Sequence, residues 1–298
     1  METVLSIKNL TKRYGRITAV KDLSLDVQRG NVFGILGPNG SGKTTTLGIL
    51  LDVINRTGGE FSWFGEPPTK EMRKRIGAIL ETPIFYPYLS ATKNLEIVAE
   101  IKGAAKGNID PVLKTVELFE RKDDKFRTYS LGMKQRLSIA SALICDPEVM
   151  ILDEPTNGLD PQGIAEIREL IKKIASDGKT IILASHLLDE VQKVCTHFCV
   201  LKKGTLLYTG SVDEIGKGAI SVEVTAETNI EKVLKEWDGT TEVKSEDGKF
   251  IVQLVDGKTS GDLNKHLFEQ GQVASHLVTQ KKSLEKQFLE LLAESEHA

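Results

Sequence analysis

The chain has 298 residues, enough for two domains of about 150 residues each. Its 40% hydrophobic and 27% charged residues are typical of a folded globular protein and set aside disorder and fibrous repeats. Lys plus Arg number 39 against 42 for Asp plus Glu, and the net charge of -3 gives no electrostatic basis for broad nucleic-acid binding.

Glu2 and Lys8 interrupt the apolar residues at the start of the chain, and no apolar run approaches the length of a membrane span. We therefore expect a chain neither exported nor membrane-spanning by itself. Three short alternating runs read as early strands: Val4, Leu5 and Ile7; Ile17, Ala19 and Val20; Leu23, Leu25 and Val27, with Gly15 and Gly30 as punctuation. The apolar run 32–36 leads through a Gly-rich turn into the helical composition of 44–51, a strand-loop-helix unit. Residues 82–145 lack strong strand runs and carry helical periodicity in Leu95, Val98 and Ala99 and in Val112, Leu113 and Val116, which predicts a helical insertion. Apolar strands at 149–152 and 180–184 bracket a helical pattern at 164–175, and such alternation predicts a parallel α/β sheet.

Before and including Lys217 there are 30 basic and 27 acidic residues, and after it 9 and 15. This change in charge beside Gly216-Lys217-Gly218 predicts a domain boundary near 217. Beyond it the pattern reads strand 220–225, helix 230–237, two strands around an Asp247-Gly248 turn, helix 260–269, strand 275–278 and helix 283–293. That order predicts a small α+β domain of the split βαβ kind with an added terminal helix. Leu284, Phe288, Leu291 and Leu292 share one face of that helix, which we read as docking on its own domain. Cys145, Cys195 and Cys199 are too few for a disulfide framework, and Cys195 and Cys199 have no second ligand pair for zinc, so they read as buried thiols in a reducing compartment.

Gly37-Pro38-Asn39-Gly40-Ser41-Gly42-Lys43-Thr44 matches the phosphate-loop pattern. Glycines let backbone N–H groups point into one concavity, Lys43 reaches the terminal phosphates, and Thr44, followed by Thr45, opens a helix whose N-terminus favours anions. The Thr44 hydroxyl suits Mg²⁺. The strand 149–152 delivers Asp153 and Glu154 at its carboxyl end, the edge where open parallel sheets bind ligands. Asp153 suits Mg²⁺ coordination and Glu154 suits polarising a water for attack on a γ-phosphate.

With these motifs the first part of the chain, about residues 2 to 217, resembles the nucleotide-binding domain of ATP-binding cassette (ABC) proteins. Tyr14 sits where that family places an aromatic that stacks on adenine. Ser130-Leu131-Gly132-Met133-Lys134-Gln135-Arg136 resembles the family signature: Ser130, Gly132 and the Lys134-Gln135-Arg136 tail match, while Leu131 and Met133 depart from the commonest glycine and glutamine. Ser130 can cap a helix running through Leu143 and present N–H groups to a phosphate. Asn157-Gly158-Leu159-Asp160 resembles the loop that bridges two subunits, with Asp160 the expected contact, and His186 matches the switch histidine expected on the γ-phosphate.

Glu81 stands where most of the family has glutamine; a carboxylate can bind Mg²⁺ but cannot donate as an amide does. Together with Thr82 to Leu89 and the signature, it is similar to the bacitracin and lantibiotic resistance subgroup. The resemblance implies a P-loop ABC ATPase fold, with a mixed sheet core, a helical insertion and an antiparallel β subdomain. It further implies ATP and Mg²⁺ as ligands and a second ABC ATPase subunit as partner, because one signature completes another subunit's phosphate site. A separate integral membrane permease follows too, with this chain peripheral at the cytoplasmic face of the membrane and the work being export of, or resistance to, a peptide antibiotic. Phe85, Tyr86, Tyr88 and Leu89 read either as a groove for a permease helix or as core of the insertion. Two alternatives stand beside transport: an ABC ATPase acting on ribosomes or DNA, whose relatives usually carry paired cassettes, and a regulatory ATP-binding module. The role of residues 218–298 stays open between regulation and dimer support.

Overall fold

Two long strands, β1 (Thr3–Tyr14) and β2 (Ile17–Gln28), open the chain and pair antiparallel across Gly15. They replace the three short runs expected from the sequence. The pairing shifts register between Ile7 and Leu10, and Asn9 and Asp22 take positive φ angles of 50° and 47°, so each strand bends and continues through what reads locally as an interruption. The computed structural model describes residues 2–80, 84–215, 221–226, 230–246, 249–255 and 257–280. Contacts divide the chain into two compact units, Met1–Gly210 and Ser211–Ala298, a division that falls earlier than the charge shift near 217. Charge marks where the surface changes, and contacts mark where the core does.

In the first unit β3 (Val32–Leu36) is buried at every position, and its chain turns directly into helix α1 (Lys43–Leu50). Strand β4 (Gly58–Trp63), helix α2 (Lys70–Lys74) and strand β5 (Ile76–Ile79) follow. Helices α3 (Ala91–Lys102), α4 (Ile109–Thr115) and α5 (Leu131–Leu143) form the expected insertion. Next come β6 (Val149–Asp153), α6 (Pro161–Ser176), β7 (Thr180–Ser185), α7 (Leu188–Val194), β8 (His197–Lys202) and β9 (Thr205–Ser211). The strands form one six-stranded sheet ordered β5-β6-β7-β3-β8-β9 and one three-stranded antiparallel sheet ordered β2-β1-β4. Strands β5, β6, β7, β3 and β8 pair parallel, so β6, β7 and β3 end side by side at one edge.

Trp63 joins these layers: it is 1% exposed, lies in the same core as Leu5, Leu23, Leu47 and Ile182, and donates its indole N–H to the Leu50 carbonyl at 3.1 Å. That bond satisfies a carbonyl in the last turn of α1 and so fixes the helix whose first residue is Lys43. Sequence reading passed over β4, β8 and β9: β4 opens on Gly58-Gly59 and has only two buried residues, Phe61 and Trp63, so alone it lacks a strand's signature.

The second unit is ordered α8 (Val212–Ile215), β10 (Ser221–Ala226), α9 (Glu231–Glu236), β11 (Thr240–Glu246), β12 (Lys249–Leu254), α10 (Ser260–Glu269) and β13 (Ala274–Gln280). Its four strands make an antiparallel sheet ordered β11-β12-β10-β13, the split βαβ topology expected from the pattern. Val222, Val224, Val252, Leu234, Leu263 and Leu267 form its core. Helix α10 starts where a reciprocal capping box, Thr259 with Asp262, satisfies its first N–H groups. The terminal helix expected at 283–293 lies outside the described residues. Among the described residues no helix is long and apolar enough to cross a membrane.

Candidate functional site

The loop between β3 and α1 is shaped by close approach. A Cβ on Gly37 would sit 2.3 Å from the Leu201 carbonyl oxygen, and one on Gly42, whose φ is 103°, would sit 2.5 Å from that of Ala19. Only glycine lets the loop lie against the backbones of β8 and β2. Pro38, Asn39 and Gly40 stay exposed, as Thr44 does, while Lys43 is 6% exposed. Lys43 Nζ donates to the Gly37 carbonyl at 2.8 Å, so the ammonium folds back over the loop. Ser41 Oγ is buried and makes no hydrogen bond within the protein. Thr45 is half-buried in the first turn of α1.

Asp153 ends β6 at 2% exposure, and Thr44 Oγ1 donates to its Oδ2 at 2.8 Å. These two hard oxygen ligands, one a carboxylate, together with the orphaned Ser41 hydroxyl beside Lys43, fit a Mg²⁺-bound phosphate chain. Glu154 has φ 48°, a left-handed conformation unusual for a carboxylate residue, and its N–H donates to the Ala184 carbonyl at 3.0 Å. The kink turns its side chain over the loop. There Oε1 lies 3.4 Å from Lys43 Nζ and Oε2 lies 2.8 Å from His186 Nδ1. A carboxylate only accepts, so this contact puts the ring proton on Nδ1 and leaves Nε2 as an acceptor when the ring is neutral. Lys43, Thr44, Asp153, Glu154 and His186, read separately from three stretches of sequence, thus meet at the ends of β3, β6 and β7.

Tyr14 ends β1 with 47% of its surface exposed and Lys12 Nζ 4.6 Å from its ring centre. The hairpin carrying it leads into the stretch of β2 whose Ala19 carbonyl abuts Gly42.

Ser130, Gly132 and Asp160 form a second group. Ser130 caps α5, its Oγ accepting from Met133 N–H at 3.2 Å, and Asp160 caps α6, its Oδ1 accepting from Gly163 N–H at 2.9 Å. A shallow depression lined by Ser130, Leu131, Gly132, Gly158, Leu159 and Asp160 joins the two helix starts. Leu131 packs over Gly158, whose added Cβ would meet its Cδ2 at 3.3 Å. Arg136 ties α5 to its neighbours through the Val116 carbonyl, Glu117 and Glu166, and holds the Glu166 carboxyl below its ordinary pKa.

Glu81, Thr82 and Pro83 lie outside the described residues. In the stretch after them Phe85 packs edge-on against Phe126, with ring centres 5.2 Å apart, while Tyr86 and Tyr88 are 49% and 62% exposed. The two readings of this stretch therefore divide between its residues. Phe85 also lines a cleft of about 370 Å³ with Ile79, Leu80, Ile84, Val98 and Ile101. Buried Asn94 holds the stretch: it accepts from Tyr86 N–H at 2.8 Å and donates to the carbonyls of Tyr86 and Ser90. Sequence reading missed Asn94, whose only signal is an amide four residues after the helix-capping Ser90. Cys195 and Cys199 are buried free thiols, and burial raises the pKa of both.

The model of the ABC transporter family matches residues 20–157. The bacitracin transport ATP-binding protein of Enterococcus faecalis is 35% identical over 98% of this chain and 97% of its own length. The lantibiotic transport ATP-binding protein of Streptococcus pyogenes is 38% identical over 70% of this chain and 92% of its own. Among solved structures, cbiO1 of Clostridium perfringens, part of an ABC transporter complex, superposes with a TM-score of 0.66 at 28% identity, over 72% of this chain and 91% of its own. The phosphate loop, the carboxylates at the end of β6 and this shared ancestry place the chain in the ABC transporter ATP-binding family, as an ATP-binding, ATP-hydrolysing transporter subunit.

Proposed function

We propose that two copies of this chain, or one copy and a close relative, sandwich two ATP molecules and drive a separate membrane permease that exports a peptide antibiotic or confers resistance to it. The observation that carries this reading is the placement of the Glu154 carboxylate between Lys43 and His186 at the mouth of the phosphate loop. Lys43 and the backbone N–H groups of Asn39, Gly40, Gly42, Lys43 and Thr44 bind the β- and γ-phosphates, and Tyr14 stacks on the adenine. Thr44 and Asp153 would hold Mg²⁺, with Glu81 as a further ligand; the ion supplies neutralisation of charge on the phosphate oxygens. Glu154 orients the attacking water and accepts its proton. His186, oriented by Glu154 through Nδ1, would carry a proton on both ring nitrogens and donate its Nε2–H to the γ-phosphate. Ser130, Gly132 and Asp160 serve the opposing chain's nucleotide.

Export at the cytoplasmic face of the membrane, with a permease helix seated on Tyr86, Tyr88 and the cleft beside Phe85, is supported by the exposure of those aromatics and by the relatives named above. The first test is Glu154→Gln, which should bind ATP with near-normal affinity and hydrolyse it about 100-fold more slowly or worse. Normal steady-state hydrolysis would remove Glu154 as the base. Tyr86→Ala with Tyr88→Ala should reduce recovery of the permease with this chain from membranes, and unchanged recovery would count against the docking site. Expression of the chain with its permease should raise the bacitracin or lantibiotic concentration that cells survive, and Lys43→Ala should abolish the gain; equal survival with both chains would contradict the cargo assignment.

A further inference from the structure

Glu190, the third residue of α7, is 1% exposed. Among the described residues no Lys, Arg or His lies within ion-pair distance of it. Its two oxygens are instead taken by hydroxyls: Thr156 Oγ1 donates to Oε1, and Ser185 Oγ donates to Oε2 at 2.7 Å. A buried carboxylate held by two neutral hydroxyls, with no cation, is a costly way to fill core space. The places of those hydroxyls supply a reason for it.

Thr156, at 4% exposure, follows Glu154 by two residues with Pro155 between them. Ser185, at 0%, directly precedes His186. The Ser185 Oγ also accepts the Leu187 N–H at 3.0 Å, closing the turn on which His186 sits, and the Ser185 carbonyl accepts the Gly37 N–H of the phosphate loop at 3.3 Å. One carboxylate therefore braces the chain on the far side of both Glu154 and His186.

We infer that Glu190 is a positioning residue for ATP hydrolysis, which keeps Glu154 and His186 in register through Thr156 and Ser185. This rests on the reading of Glu154 as the base and His186 as its partner on the γ-phosphate. The Glu154–His186 contact spans two strand ends, and its 2.8 Å length depends on their relative placement. Misplacement of reacting groups by about 1 Å is enough to cost on the order of 100-fold in rate. Nucleotide binding depends chiefly on the phosphate loop, which Glu190 does not touch.

The experiment measures turnover, nucleotide affinity and thermal midpoint on the full chain for Glu190→Gln, Thr156→Val, Ser185→Ala and the pair Thr156→Val with Glu190→Gln. Each single change should lower kcat about tenfold or more, with nucleotide Kd within about threefold of the parent. The pair should fall little further than the worse single change, because both remove one link. If Glu190→Gln fails to fold, Thr156→Val and Ser185→Ala carry the same prediction. Normal kcat in folded variants overturns the inference, as does a loss of affinity matching the loss of turnover, or strict additivity in the pair. Glu154→Gln run alongside separates the two readings: if it is inactive while Glu190→Gln is normal, only the positioning role falls, and if Glu154→Gln is itself active, both fall.

Discussion

The phosphate-loop edge and the Ser130–Asp160 depression belong to one compact unit and are built on opposite principles. At the edge, side chains from the start of α1 and from the ends of β6 and β7 pair with one another: Thr44 with Asp153, Lys43 with Glu154, Glu154 with His186. In the depression the side chains bond to the first turns of their own helices, Ser130 to Met133 N–H and Asp160 to Gly163 N–H. The first arrangement is a self-contained grip on a charged ligand. The second is a pair of capped helix N-termini lying open at the surface, where oriented N–H groups favour an anion brought from outside. On the function proposed above, a chain with both would supply the grip for one nucleotide and the lid for another.

The largest expected effects separate these halves. Lys43→Ala removes a buried ammonium and should reduce turnover at least about 100-fold and weaken binding by the isolated chain about tenfold or more, since bonds to charged groups contribute about 1.5–3 kcal/mol each. Gly132→Asp should abolish turnover to a similar degree for a different reason. A Cβ at Gly132 meets nothing within 4 Å, and an acidic residue in the first turn favours its own helix, so the variant should fold with an unchanged or slightly raised thermal midpoint and bind nucleotide normally as an isolated chain. Its carboxylate would repel only a triphosphate presented by a partner. Weakened binding by the isolated Gly132→Asp chain would break the contrast between the two regions.

Asp160→Ala should have an intermediate effect. Loss of the cap destabilises by about 1 kcal/mol, a fall of about 2–4 °C in thermal midpoint, measured by calorimetry. If Asp160 also contacts the opposing chain, turnover should fall by more than that destabilisation accounts for. Unchanged turnover would confine Asp160 to capping.

The smallest effect is a control away from both regions. Glu148 is held below the ordinary carboxylate pKa by its hydrogen bond to Arg75 and, after the opposing cost of burial, by Arg29. A lowered carboxyl pKa stabilises the folded chain above the unfolded value, and that contribution is lost as pH falls through the folded one. Glu148→Gln should therefore lower the neutral-pH midpoint by about 2 °C or less, given how exposed the pair is, and the difference should close in acid as pH falls through the lowered folded-state pKa. Nucleotide turnover per folded chain should not change.

Much of the edge was legible because its parts are contiguous in sequence. Gly37 to Thr44 carry their own geometry, and Asp153-Glu154 terminate an apolar strand. The Ser260–Glu269 helix could be read to the residue because capping and spacing are local properties. Strand β4 was not, since what makes Gly58–Trp63 a strand is its antiparallel pairing with β1. Asn94 and Glu190 escaped for a related reason: a buried polar residue on a helix looks in sequence like one facing water, and only its partners in the fold, the Tyr86 and Ser90 backbone for Asn94 and the Thr156 and Ser185 hydroxyls for Glu190, identify it. Glu81, read in the sequence as standing where the family usually has glutamine, has a chemical test: Glu81→Gln should leave nucleotide binding by the isolated chain intact while changing how far the permease stimulates turnover.

The central claim is that each nucleotide is held between two chains, and the most direct measurement is the mass in solution of Glu154→Gln with ATP and Mg²⁺ by light scattering, alone and combined with Gly132→Asp. The account predicts a doubling of mass on addition of nucleotide for Glu154→Gln and none for the combined variant. A single-chain mass for Glu154→Gln at saturating nucleotide, together with parent turnover per chain that does not depend on protein concentration, would contradict it.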